Sequence, residues 1–79
     1  MTSGSDPYLT VFDPATIRLR LARLADKVAA TYDRLAGTYD LLAQSRPYDA
    51  ARLHACAARA RDNAQAERDL ADRYRTSPP

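Results

Sequence analysis

Two prolines decide what this chain of 79 residues can become. Asp13-Pro14 and Ser45-Arg46-Pro47 each read as a break followed by a helix start. Proline suits the first helical position, where its missing N–H would find no partner anyway, and Asp13 is a good cap for the free N–H groups of a first turn. Beyond each proline the apolar residues recur at helical spacing. The spacing predicts an irregular N-terminal segment over 1–13, a first helix over about 14–45, a second over about 47–75, and a disordered tail over 76–79. So short a connection leaves only an antiparallel arrangement. The expected fold is all-α, an antiparallel two-helix hairpin of coiled-coil type spanning 14–75.

The two helices carry unequal stripes. The first is bulky: Ile17, Leu21, Leu24, Val28, Tyr32, Leu35, Tyr39 and Leu42. These fall within a band roughly 80° wide on a helical wheel, and several recur at intervals of eleven, which favours nearly straight or faintly right-handed packing. The second stripe is mostly alanine: Leu53, Ala57, Ala60, Ala64 and Ala71, closed by Tyr74. A large-residue face suits a small-residue face. The expected layers therefore set Leu35 beside Ala57, Tyr32 beside Ala60, Val28 beside Ala64, Leu21 beside Ala71, and Ile17 near Tyr74. Opposite charges support one register: Asp26 with Arg68, Lys27 with Glu67, Asp33 with Arg61, and Asp40 with His54. Exposed pairs are each worth only about 0.2–1 kcal/mol, so they select a register more than they drive folding. Within the first helix, Thr-Tyr-Asp occurs at 31–33 and again at 38–40, with Gly37 between, on the outer face. There glycine costs about 1 kcal/mol of helix propensity against alanine.

A core of this size is marginal without support, and alanine contributes little burial. A single cysteine, Cys56, rules out an internal disulfide framework, and one histidine with one glutamate leaves little for a metal site. Leu19, Leu41 and Leu70 sit off the main stripe, and Leu9, Val11 and Phe12 have no assigned place. The hairpin is therefore expected to be completed by dimerisation into a four-helix bundle, with two-fold symmetry the commonest arrangement, or by a partner protein bound along a helix face. No apolar run reaches the length of a membrane span, and the N-terminus has no basic start or hydrophobic signal core. The expectation is a cytoplasmic protein with no membrane partner.

Catalytic chemistry has little to stand on. Cys56 and His54 are two residues apart, about 200° round a helix, so the imidazole cannot activate the thiol; Cys56 reads as a small buried packing residue. The stripes carry no inward arginine, and there is no glycine-rich phosphate loop. No cofactor and no enzymatic activity are expected. Nucleic-acid binding is an alternative: the formal charge is +2, with Arg20, Arg23, Lys27 and Arg34 on one flank of the first helix and Arg52 and Arg59 on an outer face of the second. Against it, Asp26, Asp33 and Asp40 line the opposite flank at seven-residue steps.

The second helix also contains Arg61-x3-Gln65-x3-Asp69. This resembles the end of the Glu-x3-Ser-x2-Arg-x3-Gln-x3-Asp motif of the cyclic-di-GMP-dependent anti-sigma factors of sporulating filamentous bacteria. His54 stands here at the Glu position and Ala58 at the Ser position. The resemblance implies a helical hairpin that holds the dinucleotide in order to sequester a sigma factor. Arg61 would meet phosphate or guanine, and Gln65 and Asp69 would address guanine's edge. The leading expectation is a non-enzymatic hairpin acting by protein–protein interaction and self-association, as adaptor, antagonist or assembly subunit.

Overall fold

The computed structural model describes residues 13–76. Helix α1 runs Pro14–Ser45, a 3-10 turn spans Pro47–Asp49, and helix α2 runs Ala50–Thr76. Only Asp13 and Arg46 of the described residues lie outside these helices. The two long helices pack against each other as an all-α hairpin. The expected irregular segment falls on residues 1–12, outside the described residues, apart from Asp13. Of the expected tail, Thr76 ends α2 and 77–79 lie outside the described residues.

Local chemistry sets the boundaries. The Asp13 carboxylate accepts the Thr16 backbone N–H at 3.2 Å, and Pro14 follows at the first helical position. At the other end, the ring of Pro47 excludes Arg46 from helical geometry, and Arg46 takes φ −133° and ψ 76°. The Asp49 N–H then closes a 3-10 turn on the Arg46 carbonyl at 3.0 Å. The α-helix therefore begins at Ala50, later than the proline at 47 suggested.

Among the described residues every buried one is alanine: Ala22, Ala25, Ala29, Ala36 and Ala43 from α1, and Ala57, Ala60, Ala64 and Ala71 from α2. Ala22 and Ala25 cluster with Ala71, and Ala36 with Ala57 and Ala60. This overturns the expected layering of bulky residues over alanine. Ile17, Leu21, Leu24 and Leu35 are exposed, Leu24 to 57%; Val28, Leu42, Leu53 and Leu70 are half-buried. Tyr32 and Tyr39 lean onto the Ala36 cluster, and Tyr74 onto the Ala22 cluster.

The reason is geometric. On a helical wheel the α1 alanines occupy a band about 60° wide, centred roughly 90° away from the bulky stripe. A pair of helices has a single line of closest approach, and the side chains on that line set the distance between axes. Methyl groups there bring the two main chains close and gain dispersion contacts along their whole length. Large side chains on the line would separate the axes and still leave much of their own surface wet. The seam repeats every seven residues, as Ala22, Ala29, Ala36 and Ala43 and as Ala57, Ala64 and Ala71, which is the coiled-coil period.

Two stability outcomes follow from this packing. Ala64 is wholly buried, so Ala64→Trp forces the helices apart and destabilises the hairpin by about 3 kcal/mol, whereas Ala58→Trp, at an exposed position, leaves the melting temperature nearly unchanged. Equal melting of the two variants would remove the alanine seam. Among the described residues nothing lies within 4 Å of a methyl group added at Gly37, so Gly37→Ala stabilises by roughly 0.5–1 kcal/mol, read as a rise of several degrees in thermal unfolding.

Candidate functional site

The seven-residue Thr-Tyr-Asp repeat gives the hairpin two different faces. Thr31 and Thr38 point outward, each bonding the carbonyl four residues back, Lys27 O and Arg34 O, at 3.1 Å. Tyr32 and Tyr39 flank the alanine seam on one side, and Asp33 and Asp40 flank it on the other. There they join Asp26 in a ladder of cross-helix ion pairs. Asp26 pairs with Arg75, Asp33 with Arg68, and Asp40 with Arg61 at 2.5 Å and with His54 at 2.9 Å.

Only the Asp40–His54 pair was read correctly from sequence. Each arginine partner lies one heptad further along α2 than expected: Arg68 meets Asp33 rather than Asp26, and Arg61 meets Asp40 rather than Asp33. The backbone register barely moved, since Ala36 lies among Ala57 and Ala60. The difference comes from side-chain direction. In a helix, side chains lean toward the N-terminus, so in an antiparallel pair an aspartate on α1 meets an arginine rooted nearer the C-terminus of α2. Lys27 and Glu67, also expected to pair, are not in ion-pair contact; Glu67 instead lines a groove on the opposite face.

At the turn end of the ladder the two Asp40 oxygens are shared. Oδ2 accepts from the Arg61 guanidinium and Oδ1 from His54 Nδ1. A carboxylate can only accept, so His54 Nδ1 carries a proton in this contact. The Arg61 hydrogen bond, and next the His54 hydrogen bond, hold the Asp40 carboxyl below its ordinary value of 3.8.

The motif residues Arg61, Gln65 and Asp69 are all exposed and do not form one cluster. Arg61 is held by Asp40, while Gln65 Nε2 donates to Asp69 Oδ1 at 3.0 Å further round the helix. Arg52 pairs with Asp49 at 3.5 Å beside the turn.

The face opposite the ladder is apolar and open. One groove is lined by Tyr32, Leu35, Tyr39, Cys56, Arg59, Ala60 and Asn63. A second, nearer the chain ends, is lined by Leu21, Leu24, Ala25, Val28, Glu67, Leu70 and Tyr74. Cys56 is thus a half-buried groove residue rather than a core one, and Arg59, exposed as expected, also lines the groove. Sequence reasoning missed Asn63 and Glu67 here. The signal was available: 56, 59, 63, 67, 70 and 74 step by three or four, the spacing of one helical face.

Among the described residues no group of three or more His, Cys, Asp or Glu could hold a metal ion, and no helix is long and apolar enough to cross a membrane. No protein family, curated protein or solved structure matches the chain.

The ladder predicts an acid response. Asp40 has a lowered folded-state pKa, so its contribution is fully present above the ordinary value of 3.8 and is lost as pH falls through the lowered one. Carboxyl-carbon NMR should place the Asp40 midpoint below 3.8, and Arg61→Ala should raise it more than His54→Ala does. A midpoint indifferent to Arg61→Ala would mean that the guanidinium does not hold Asp40 in solution.

Proposed function

We propose that this hairpin is a non-enzymatic interaction module, acting as an adaptor, antagonist or assembly subunit, that docks through its apolar face and self-associates there. The observation that carries this reading is the division of the molecule. The seam that joins the helices is made of alanine alone, and the ladder's arginines are occupied by aspartates within the chain. Ile17, Leu21, Leu24 and Leu35 are then left exposed on one side. A contiguous apolar surface rimmed by polar groups is the usual mark of a docking site, and an unpartnered helix face reads other helices through positions at three- and four-residue steps.

A cyclic-dinucleotide-responsive regulator is the weaker reading. Gln65 and Asp69 lie exposed and side by side, as base recognition requires, but Arg61 would first have to leave Asp40. Heat in a titration with cyclic-di-GMP that disappears in Arg61→Ala, Gln65→Ala and Asp69→Ala would raise it; no heat would remove it. Nucleic-acid binding is weaker still: of the basic residues that would carry it, Arg34 donates to Thr31, Arg52 pairs with Asp49, and Arg59 lines the apolar groove.

The docking reading is tested at two leucines outside the seam. Leu24→Glu with Leu35→Glu should preserve helicity by circular dichroism and abolish association, measured both as mass in sedimentation and as retention of a bound protein in affinity capture from the source cells. A folded double variant that associates as the wild type does would refute the apolar face as the docking surface.

A further inference from the structure

Resting on that docking reading, we infer that the occupant of the apolar face is a second copy of this chain, turned so that the two hairpin turns lie at opposite ends of a four-helix bundle. The stripes are palindromic. Along α1, Ile17 and Leu42, Leu21 and Tyr39, Leu24 and Leu35, and Val28 and Tyr32 are pairwise equidistant, to within one residue, from the Ala29–Ala30 peptide. Along α2, Cys56 and Leu70, and Arg59 and Glu67, are equidistant from Asn63. The two centres are nearly level. Ala36 packs with Ala57 and Ala60, and Ala22 and Ala25 with Ala71, which brings the middle of α1 beside Gln65, about two residues from Asn63 and so about 3 Å along the axis. One two-fold axis across the hairpin near that height therefore maps the α1 stripe and the 56–70 part of the α2 stripe onto themselves to within about two residues, as an isologous interface requires; Tyr74 lies beyond the matched part.

Charge selects this orientation over its rival. Arg59 lines one groove and Glu67 the other, and neither has an ion-pair partner among the described residues. The rotation sets Arg59 of each copy over Glu67 of the other, forming the pair twice, with the two Asn63 side chains meeting at the axis. It also sets the α1 stripe against its own reverse, leucine and valine against leucine and tyrosine. Placing the turns at the same end would instead lay α1 over α2. Arg59 would then sit level with the second copy's Leu35 and Glu67 near its Val28, leaving both charges desolvated and unpaired, which is costly. Complementary charge of this kind fixes register and orientation.

The test uses the full chain. Asn63→Cys in a Cys56→Ser background should oxidise to a covalent dimer, because position 63 faces its own copy across the axis. The wild-type chain should not cross-link through Cys56, because the two thiols are separated by fourteen residues of helix, about 20 Å along the axis. Arg59→Glu and Glu67→Arg should each weaken dimerisation by about tenfold or more, and combining them should restore it to within a few-fold of wild type. All four positions lie outside the alanine seam, so circular dichroism should stay helical throughout. Cross-linking through Cys56 but not through Asn63→Cys would overturn this orientation, as would a combined variant weaker than either single one. A monomer at about 100 μM in sedimentation would overturn the second copy altogether, and the docking reading would then stand or fall on the Leu24 and Leu35 variant.

Discussion

The structure depends on contact between two columns of methyl groups. Once Ala22, Ala29, Ala36 and Ala43 face Ala57, Ala64 and Ala71, the orientation of every other side chain is settled. Residues a little to one side of the seam become a ladder of charges, and those a little to the other become an apolar face. Neither face can rotate inward without lifting the main chains apart, because alanine's small volume is what allows them to approach. In a larger bundle, bulky stripes fill a centre shared by several helices. A two-helix hairpin has no centre, only a line, and the small residues take it.

The charge ladder tells a related story about degeneracy. Asp26, Asp33 and Asp40 repeat every seven residues, and so do Arg61, Arg68 and Arg75. Sliding one set past the other by a heptad preserves opposite-sign pairing, so charge alone cannot distinguish the two readings. Two physical facts decide between them. The alanine clusters hold the backbone register, and the lean of helical side chains toward the N-terminus picks which arginine reaches which carboxylate. Exposed pairs such as Asp33–Arg68 and Asp26–Arg75, each about half exposed, contribute on the order of 0.2–1 kcal/mol. Their periodicity matters more than their strength, since slippage by any amount other than a heptad would unpair the whole row.

Much of the architecture was legible from residue types. The Asp13-Pro14 cap, the break at Arg46-Pro47 and the antiparallel closure follow from local backbone chemistry, which neighbours in space do not override. The Asp40–His54 contact was legible too, because it lies beside the turn, where the short connection leaves the register little freedom. The α2 half of the seam, Ala57, Ala60, Ala64 and Ala71, was legible as well; the α1 half was not, although its heptad was in plain view at 22, 29, 36 and 43. Reasoning weighted by hydrophobicity ranks leucine above alanine and so assigns the core to Leu21, Leu24 and Leu35. That ranking measures the gain from burial, not the room available for it. The grooves were only partly legible for the same reason: with the stripe assigned inward, Arg59 went to an outer face, Glu67 to a pair with Lys27, and Asn63 had no face to belong to.

The same partition bears on how folding and association are related. A seam of alanines buries one methyl per residue, the least that any apolar side chain offers, while ordering each residue carries the usual entropic cost of about 1–2 kcal/mol for its backbone alone. The side chains with the most burial to give, from Leu21 to Leu35 on α1 and Leu70 and Tyr74 on α2, release it only when something covers the open face. In the proposed two-fold bundle that surface is covered twice by one event, and the inner face of each hairpin becomes the centre that a lone pair of helices lacks. Stability would then rise with protein concentration, as it does wherever the folded state binds and the unfolded state does not. The alanine seam would set the shape of each half, and the leucines and tyrosines would supply most of the free energy that keeps it.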